Sequence, residues 1–472
     1  MHPRRRRGRQ QQQELHPLQQ TSEQEQSPDQ RRRHQLQEQC HFNHLQQRQV
    51  DIEEKGELVN IYNNTMNGLT RTEQPVQDKL AQPIPTLAFS ELKIGRALGK
   101  GGFSVVSDVD GIRLDEVYDT SESESALRRD FCERYSGGSS SEAGRSLVIK
   151  LLRTDLGDEE HTKGVLDLAI EAEFLKSLQH PNIITMRAYA NSDPHEARFF
   201  ILMDKLVITL ERKMNFWRKE VGDNMGYYMG PCLGYCCGKV HTLHRLWMDR
   251  LMVSRDIAKA VRYLHEKGIV YRDLKPDNVG FDVSGGLKIF DFGLAKRLEP
   301  EYRTETELYS LTGNTGSLRY MAPEVAMCEP YDQRVDAYSF GILFWQICSL
   351  TTPFQGFSTK MHAEKVVNGR TRPQPHQKWP LAWVQLQYEC WSHDIFQRPD
   401  FEHIHNVLEE EVVEWVDYGG IPSRAAERRV AKRRGKTVRD ATSALRMLTT
   451  DSQLTSSSRA DSNARVHDVN IV

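Results

Sequence analysis

A chain of 472 residues with 38% hydrophobic and 27% charged residues has a globular composition diluted by polar ends, and it is long enough to bury a sizeable core without metal or disulfide support. A formal net charge of −2 argues against a general nucleic-acid binder, although Arg4–Arg7, Arg31–Arg33 and Arg428–Lys436 form basic clusters, and Asp155–Glu160 and Glu409–Glu414 acidic ones. The eight cysteines show no paired framework, and the start Met1-His2-Pro3-Arg4-Arg5 carries no apolar signal core, which together point to a reducing compartment.

Residues 1–84 are rich in Gln, Arg, His and Glu and poor in aliphatics. Such a segment cannot offset its ordering entropy by burial, so disorder is expected. Strand signals then appear at Leu92–Leu98, Phe103–Val109 and Leu147–Leu152, and Val165–Leu178 carries apolar residues at helical spacing. The run Phe199–Leu206 ends a further strand. These make a small sheet with one helix.

Val106 and Lys150 are separated by about forty residues where a hairpin needs about 2 to 5. Residues from about 110 to 146 therefore read as an insertion, with Ser121–Ser146 charged and rich in Ser and Gly. A second insertion is expected at about 213–246, around the Gly- and Cys-rich run from Gly226 to Gly238. Helical patterns follow at Arg250–Lys267, Asp336–Leu350, Lys360–Asn368, Leu381–Ser392 and Phe401–Glu411. The most hydrophobic run, Ala337–Leu350, contains Ser339, Gly341 and Gln346 and falls short of the roughly 20 residues that cross a bilayer, so it reads as a buried helix and no membrane span is expected. Beyond 416 the chain becomes a basic tail with helical propensity over Ala425–Leu448, then a Ser- and Thr-rich end.

Chemistry-bearing residues recur at defined points of this frame. Gly99-Lys100-Gly101-Gly102-Phe103-Ser104 lies between two strand signals, where the lack of side chains lets backbone N–H groups approach phosphate oxygens, although a plain hairpin turn would read the same. Lys150 ends Leu147-Val148-Ile149-Lys150; alone, it would read as a solvated edge residue. Far more specific is Tyr271-Arg272-Asp273-Leu274-Lys275-Pro276-Asp277-Asn278 followed by Asp291-Phe292-Gly293. It supplies carboxylates and an amide suited to hard cations and phosphoryl transfer.

With Gly99, Gly101, Lys150, Glu171 and Ala322-Pro323-Glu324 in the same order, these motifs resemble a eukaryotic protein kinase over roughly residues 90–415. The resemblance implies a two-lobed α+β fold, with an N-lobe at about 90–203 and a mainly helical C-lobe at about 204–415, flanked by the 1–84 and 416–472 tails. It implies ATP and Mg²⁺ as ligands, protein substrates offering Ser or Thr hydroxyls, and an upstream activating kinase as a partner. Around the nucleotide it would place Leu98, Gly99, Gly101, Gly102 and Val106, the last capping adenine. Lys150 would hold the α- and β-phosphates and be oriented by Glu171, with Glu173 as the alternative carboxylate. Met203 would line the rear of the adenine pocket, and backbone groups of Asp204 and Leu206 would meet the base.

By the same resemblance Asp273 accepts the substrate hydroxyl proton, Lys275 neutralises charge on the moving phosphoryl group, and Asn278 and Asp291 hold Mg²⁺. Arg272 would pair with phosphate on the segment Asp291–Glu324, where Tyr302, Thr304, Thr306, Tyr309, Ser310, Thr312 and Thr315 are candidate sites. Glu324 and Arg398 would form a buried ion pair, and Asp336 would anchor the catalytic-loop backbone. Lys275 favours serine/threonine specificity, and Gly316–Glu324 with Asp336-Ala337-Tyr338-Ser339-Phe340-Gly341 is similar to the tyrosine-kinase-like branch. The chain departs from the pattern at Ser104 for the third glycine, Val148 for alanine, Tyr271 for histidine and Ser317 for threonine. Retention of every catalytic group favours turnover over the rival reading, a nucleotide-binding pseudokinase scaffold.

Two side constellations remain. Cys232, Cys236, Cys237, His241 and His244 could bind zinc, but their spacing matches no standard finger, and a loop or an acylation site is the preferred reading. The Arg-rich clusters lack interleaved aromatics, so no nucleic-acid module is expected. They read as solvated tails or nuclear import signals. A cytoplasmic location is expected, with nuclear entry as the second expectation.

Overall fold

Val-, Ile- and Leu-rich runs separated by polar turns build the N-terminal half of the computed structural model, which describes residues 83–115, 121–136, 146–194, 198–225, 236–376 and 379–418. Its elements are β1 (Thr86–Leu87), β2 (Leu92–Lys100), β3 (Ser104–Ile112), α1 (Glu122–Ser136), β4 (Leu147–Leu152), α2 (Asp158–Ser177), β5 (Met186–Ala190) and β6 (Phe200–Asp204). The six strands form one sheet in the order β1-β5-β6-β4-β3-β2, antiparallel except for the β1–β5 pair. Register places Val106 opposite Lys150 and Val148 opposite Met203. That pairing sets Val106, Lys150, Val148 and Met203 close together across three strands.

The first expected insertion contains a helix, α1, that the charged composition concealed. Its Leu127, Phe131 and Tyr135 recur at i, i+4 and i+8, and Phe131 is buried in the main core. Arg128 pairs with Glu91, both nearly inaccessible. Glu91 also accepts from the N–H groups of Ala88 (2.7 Å) and Asp115 (2.8 Å), while Glu124 accepts from Thr86 N and Oγ1, each at 2.9 Å. The helix thus belongs to the sheet's packing and fastens the short edge strand β1.

The C-terminal half is mainly helical: β7 (Ile208–Thr209), α3 (Leu210–Met225), α4 (Cys236–Glu266), β8 (Ile269–Val270), β9 (Val279–Phe281), β10 (Leu287–Ile289), β11 (Lys296–Arg297), α5 (Pro323–Ala326), α6 (Arg334–Ser349), α7 (Thr359–His362), α8 (Leu381–Cys390) and α9 (Phe401–Tyr418). The stretch 213–246, read as an insertion, is largely occupied by the end of α3 and the start of α4. Met214 and Trp217 of α3 are buried, and the Arg250 guanidinium of α4 lies 4.5 Å from the Trp247 ring centroid. The helical pattern expected from Arg250 therefore begins earlier, at Cys236.

Helix α9 also outruns its expected end. The acidic run hid an apolar stripe of Leu408, Val412 and Trp415, and Glu411 turns inward to accept from Trp383 Nε1 at 2.9 Å. The Trp383 and Trp415 rings stack at 5.6 Å. Small sheets β10-β9-β7 and β11–β8 bracket the loops that carry the polar site. Among the described residues no helix is long and apolar enough to cross a membrane. Most of both tails, the basic clusters at 4–7, 31–33 and 428–436, and the side chains of the Cys/His constellation lie outside the described residues.

Candidate active site

The hairpin between β2 and β3 closes with Gly101 N–H donating to Ser104 O at 2.8 Å, and Gly99, Gly101 and Gly102 are all exposed. Leu98 is also exposed, whereas Val106 is half-buried on β3 beside Lys150. The Lys150 ammonium donates to Glu171 at 2.5 Å and to Asp291 at 2.9 Å. Burial alone would depress this lysine's pKa, but the charges of Glu171 and Asp291 outweigh it and hold it above the usual value. Burial works in the opposite sense on Asp291, and Lys150 overcomes it, keeping that carboxyl below its ordinary range. Glu173, the alternative partner, is instead engaged by Lys176 at 2.5 Å.

Met203 is buried between β4 and β5 partners Val148 and Met186. Asp204 is already committed: its carboxylate takes a fork of two bonds from Arg187 (2.8 and 2.6 Å), and its N–H donates to Thr185 O at 3.3 Å. That N–H is not offered to a base. Leu206 packs against Gly280, where an added Cβ would come within 2.7 Å of its Cδ1.

The loop between β8 and β9 gathers the remaining groups. Buried Asp273 accepts from Lys275 Nζ at 2.6 Å, Asn278 Nδ2 at 2.8 Å, and Ser317 N and Oγ at 3.0 and 2.9 Å. Its orientation is over-determined. Arg272 adopts φ +69° and Asp291 φ +68°, conformations that cost a non-glycine residue and persist only when the surroundings impose them. Asp336, fully buried on α6, imposes the first by accepting from Tyr271 N and Arg272 N, each at 2.8 Å, with His265 Nε2 at 2.9 Å. Opposite, Gly316 at φ +99° lies where an added Cβ would reach 2.3 Å from Arg272 O, so only glycine fits.

Tyr271 donates through Oη to Phe290 O at 2.5 Å and sets its ring edge-on to Phe292 at 5.3 Å. The phenol couples the loop between β8 and β9 to the segment bearing Asp291. Burial raises its pKa well above the ordinary value, so it remains a donor.

Asp167 escaped the sequence reading. It precedes Glu171 by one helical turn on α2 and abuts Gly293, where an added Cβ would stand 3.2 Å from its own Cβ. Burial pushes its carboxyl up to about 6, with Lys163 opposing and Asp291 adding. The helical i, i+4 spacing from Glu171 was the only available signal.

The Arg272 guanidinium donates to Leu294 O (2.7 Å) and Tyr331 Oη (3.0 Å), and that phenol donates to Thr312 O at 2.7 Å. Tyr309 and Tyr331 exchange two backbone bonds at 2.9 and 3.0 Å. Glu324 and Arg398 form a two-pronged ion pair at 2.5 and 2.9 Å, with both residues buried.

The donor set fits a hard divalent cation. Asn278 spends its amide N–H on Asp273, so its oxygen is the group for a ligand, and the half-exposed Asp291 bonds Lys150 through one of two carboxylate oxygens.

The sequence profile described as protein tyrosine and serine/threonine kinase matches residues 128–408, which include Lys150 through Arg398 but begin after the glycine-rich hairpin. The chain is 30% identical over 268 residues to the Arabidopsis thaliana serine/threonine/tyrosine-protein kinase HT1, covering 56% of this chain and 60% of that protein. It is 35% identical over 266 residues to the Arabidopsis serine/threonine-protein kinase STY46, covering 56% and 40% respectively. The dual specificity protein kinase shkB of Dictyostelium discoideum is 31% identical over 234 residues, covering 43% and 35%. The chain thus spans less than two thirds of the length of each of these relatives.

Proposed function

Because the chain belongs to the protein tyrosine and serine/threonine kinase family, we propose that it transfers the γ-phosphoryl group of ATP to Ser or Thr hydroxyls of protein substrates. One observation carries this reading: Lys150 joins Glu171 of α2 to Asp291, while Asp273 is bracketed by Lys275, Asn278 and Ser317. Asp273 aligns the attacking hydroxyl and accepts its proton as the new P–O bond forms and the bond from the γ-phosphorus to the bridging oxygen breaks, releasing ADP. Lys275 stands 2.6 Å from Asp273 and 2.8 Å from Ser317 Oγ, within reach of charge on the transferred group. Mg²⁺ held by Asn278 and Asp291 would neutralise phosphate charge. Lys150 orients the α- and β-phosphates.

Serine/threonine specificity is supported by Lys275 in its Asp-Leu-Lys-Pro-Asp-Asn setting, although two of the relatives above are named for broader acceptor ranges. Regulation by phosphorylation of Asp291–Glu324 belongs to the same proposal, with an upstream kinase as partner. Its support is the placement of Arg272 beside Thr312 through Tyr331. Cytoplasmic residence rests on the lack of a paired framework in the cysteine pattern and nuclear entry on the basic clusters, and imaging of a fluorescent fusion tests both.

The deciding experiment compares γ-phosphoryl transfer to a generic protein by the wild type and Asp273→Ala, with Mg·ATP and phosphoamino-acid analysis of the product. The expected result is phosphoserine and phosphothreonine from the wild type, and transfer reduced at least ~100-fold in the variant with nucleotide binding kept. Wild-type protein that binds ATP without transferring it would favour the scaffold reading. A product containing only phosphotyrosine would overturn the acceptor assignment, and unchanged turnover after phosphatase treatment would remove the regulatory part.

A further inference from the structure

Arg153, three residues after Lys150 and just past the end of β4, reaches back across the sheet to the glycine-rich hairpin. Its Nη1 donates to Gly102 O at 2.5 Å and to Gly101 O at 3.3 Å, and its own N–H donates to Phe103 O at 3.0 Å. Its other face is held by Asp155 through Nε and Nη2, each at 2.9 Å. Asp155 also accepts from Lys100 at 2.8 Å. The result is a closed ring in which Lys100, Asp155 and Arg153 tie both arms of the hairpin to the strand that carries Lys150.

The ring has a directional consequence. In a trans peptide the C=O and the following N–H point opposite ways, so drawing the Gly101 and Gly102 carbonyls toward Arg153 turns the N–H groups of Gly102 and Phe103 away from it. Side chains alternate faces along a strand, which continues Arg153 onto the face opposite Lys150. Those two N–H groups therefore turn toward the face occupied by the Lys150 ammonium. A second contact seats the same hairpin: Phe103 lies on Gly164 of α2, where an added Cβ would stand 2.8 Å from Phe103 Cβ and 2.9 Å from Leu152 Cδ2.

We propose that Arg153, braced by Asp155, is a positioning residue for the nucleotide's polyphosphate, holding the hairpin peptides so that their N–H groups face the phosphates. Arg153 touches no phosphate itself. The inference rests on the phosphotransfer reading and adds a determinant that the glycine pattern alone does not contain, since the glycines permit this peptide orientation without selecting it.

The test measures equilibrium binding of Mg·ATP and of adenosine to the full chain, for wild type, Arg153→Ala, Arg153→Lys and Asp155→Asn, with a melting curve for each. Arg153→Ala should weaken ATP about tenfold, equivalent to ~1.4 kcal/mol, while adenosine affinity stays within twofold. Arg153→Lys, which keeps a cationic donor for the carbonyls but loses the two-nitrogen fork to Asp155, should recover part of the loss, and Asp155→Asn should lie between. In turnover, KM for ATP should rise more than kcat falls. Equal weakening of ATP and adenosine would overturn the proposal in favour of a general effect on the lobe, as would ATP affinity unchanged in both Arg153→Ala and Asp155→Asn. Wild-type protein that binds adenosine but gains nothing from the phosphates would refute the inference and the phosphotransfer reading together. Normal wild-type transfer with an inert Arg153 would refute the inference alone. Should Arg153→Ala fail to melt cooperatively, Asp155→Asn, which keeps the guanidinium, decides by the same ATP-to-adenosine ratio.

Discussion

Replacing Arg398 with methionine should damage the protein more than its distance from Asp273 suggests. The guanidinium makes two bonds to Glu324 (2.5 and 2.9 Å) and one to Ser392 O (2.9 Å), with Arg334 O at 3.4 Å, and its side chain is fully inaccessible. Methionine fills most of the volume but leaves the Glu324 carboxylate, whose side chain is 10% exposed, without its counter-charge. Breaking one side of a buried pair costs about 3 to 5 kcal/mol, most of it from the stranded charge. For a domain of this size that is a melting-point drop on the order of 10 °C. Equilibrium urea unfolding of the single variants and of Glu324→Gln/Arg398→Met gives the coupling: the double variant should lose at least about 1.5 kcal/mol less than the sum of the singles. Because Glu324 closes the Gly316–Glu324 segment that also carries Ser317, protein-substrate kcat/KM should fall while ATP affinity is kept. A loss under about 1 kcal/mol for Arg398→Met, or strict additivity in the cycle, would refute the stranded-charge argument.

Three further outcomes follow from the geometry. Asp336→Asn should cut kcat by at least ~100-fold with a smaller change in KM for ATP, because the amide cannot accept from Tyr271 N, Arg272 N and His265 together; steady-state kinetics checks this. Tyr271→Phe keeps the ring on Phe292 but strands Phe290 O, so urea unfolding should show a loss of about 1 to 2 kcal/mol with activity partly kept. Asp167 binds its proton more tightly folded than unfolded, so its contribution is most favourable below the unfolded pKa near 4 and is lost as pH rises through about 6. Asp167→Asn should therefore be more stable than wild type at pH 8 by roughly 1 to 3 kcal/mol, with the gap closing toward pH 4 in urea titrations.

The sequence and the structure divide along a physical line. Asp273, Lys275, Asn278 and Asp291 were legible because chemistry demands those side chains at short, fixed spacing on two loops. Strand and helix periodicity likewise revealed β4, α2 and α6, whose apolar residues repeat within the element itself. Elements with mixed composition were read less well. Helix α1 hid behind serines and charges because its meaning lies in Arg128 meeting Glu91, 37 residues away. Glu411 read as part of a solvated acidic run until Trp383 supplied its donor.

The amino-acid sequence alone determined the family, the two-lobed α+β architecture and the residue types at the centre of the site. Only the tertiary structure decided which groups are spoken for: Asp204 N–H by Thr185, Arg272 by Leu294 and Tyr331, the carbonyls of Gly101 and Gly102 by Arg153, and Asp167 by its burial against Gly293. Hydrogen bonds and desolvation act between residues that are neighbours in space, and local sequence pattern carries no record of that neighbourhood.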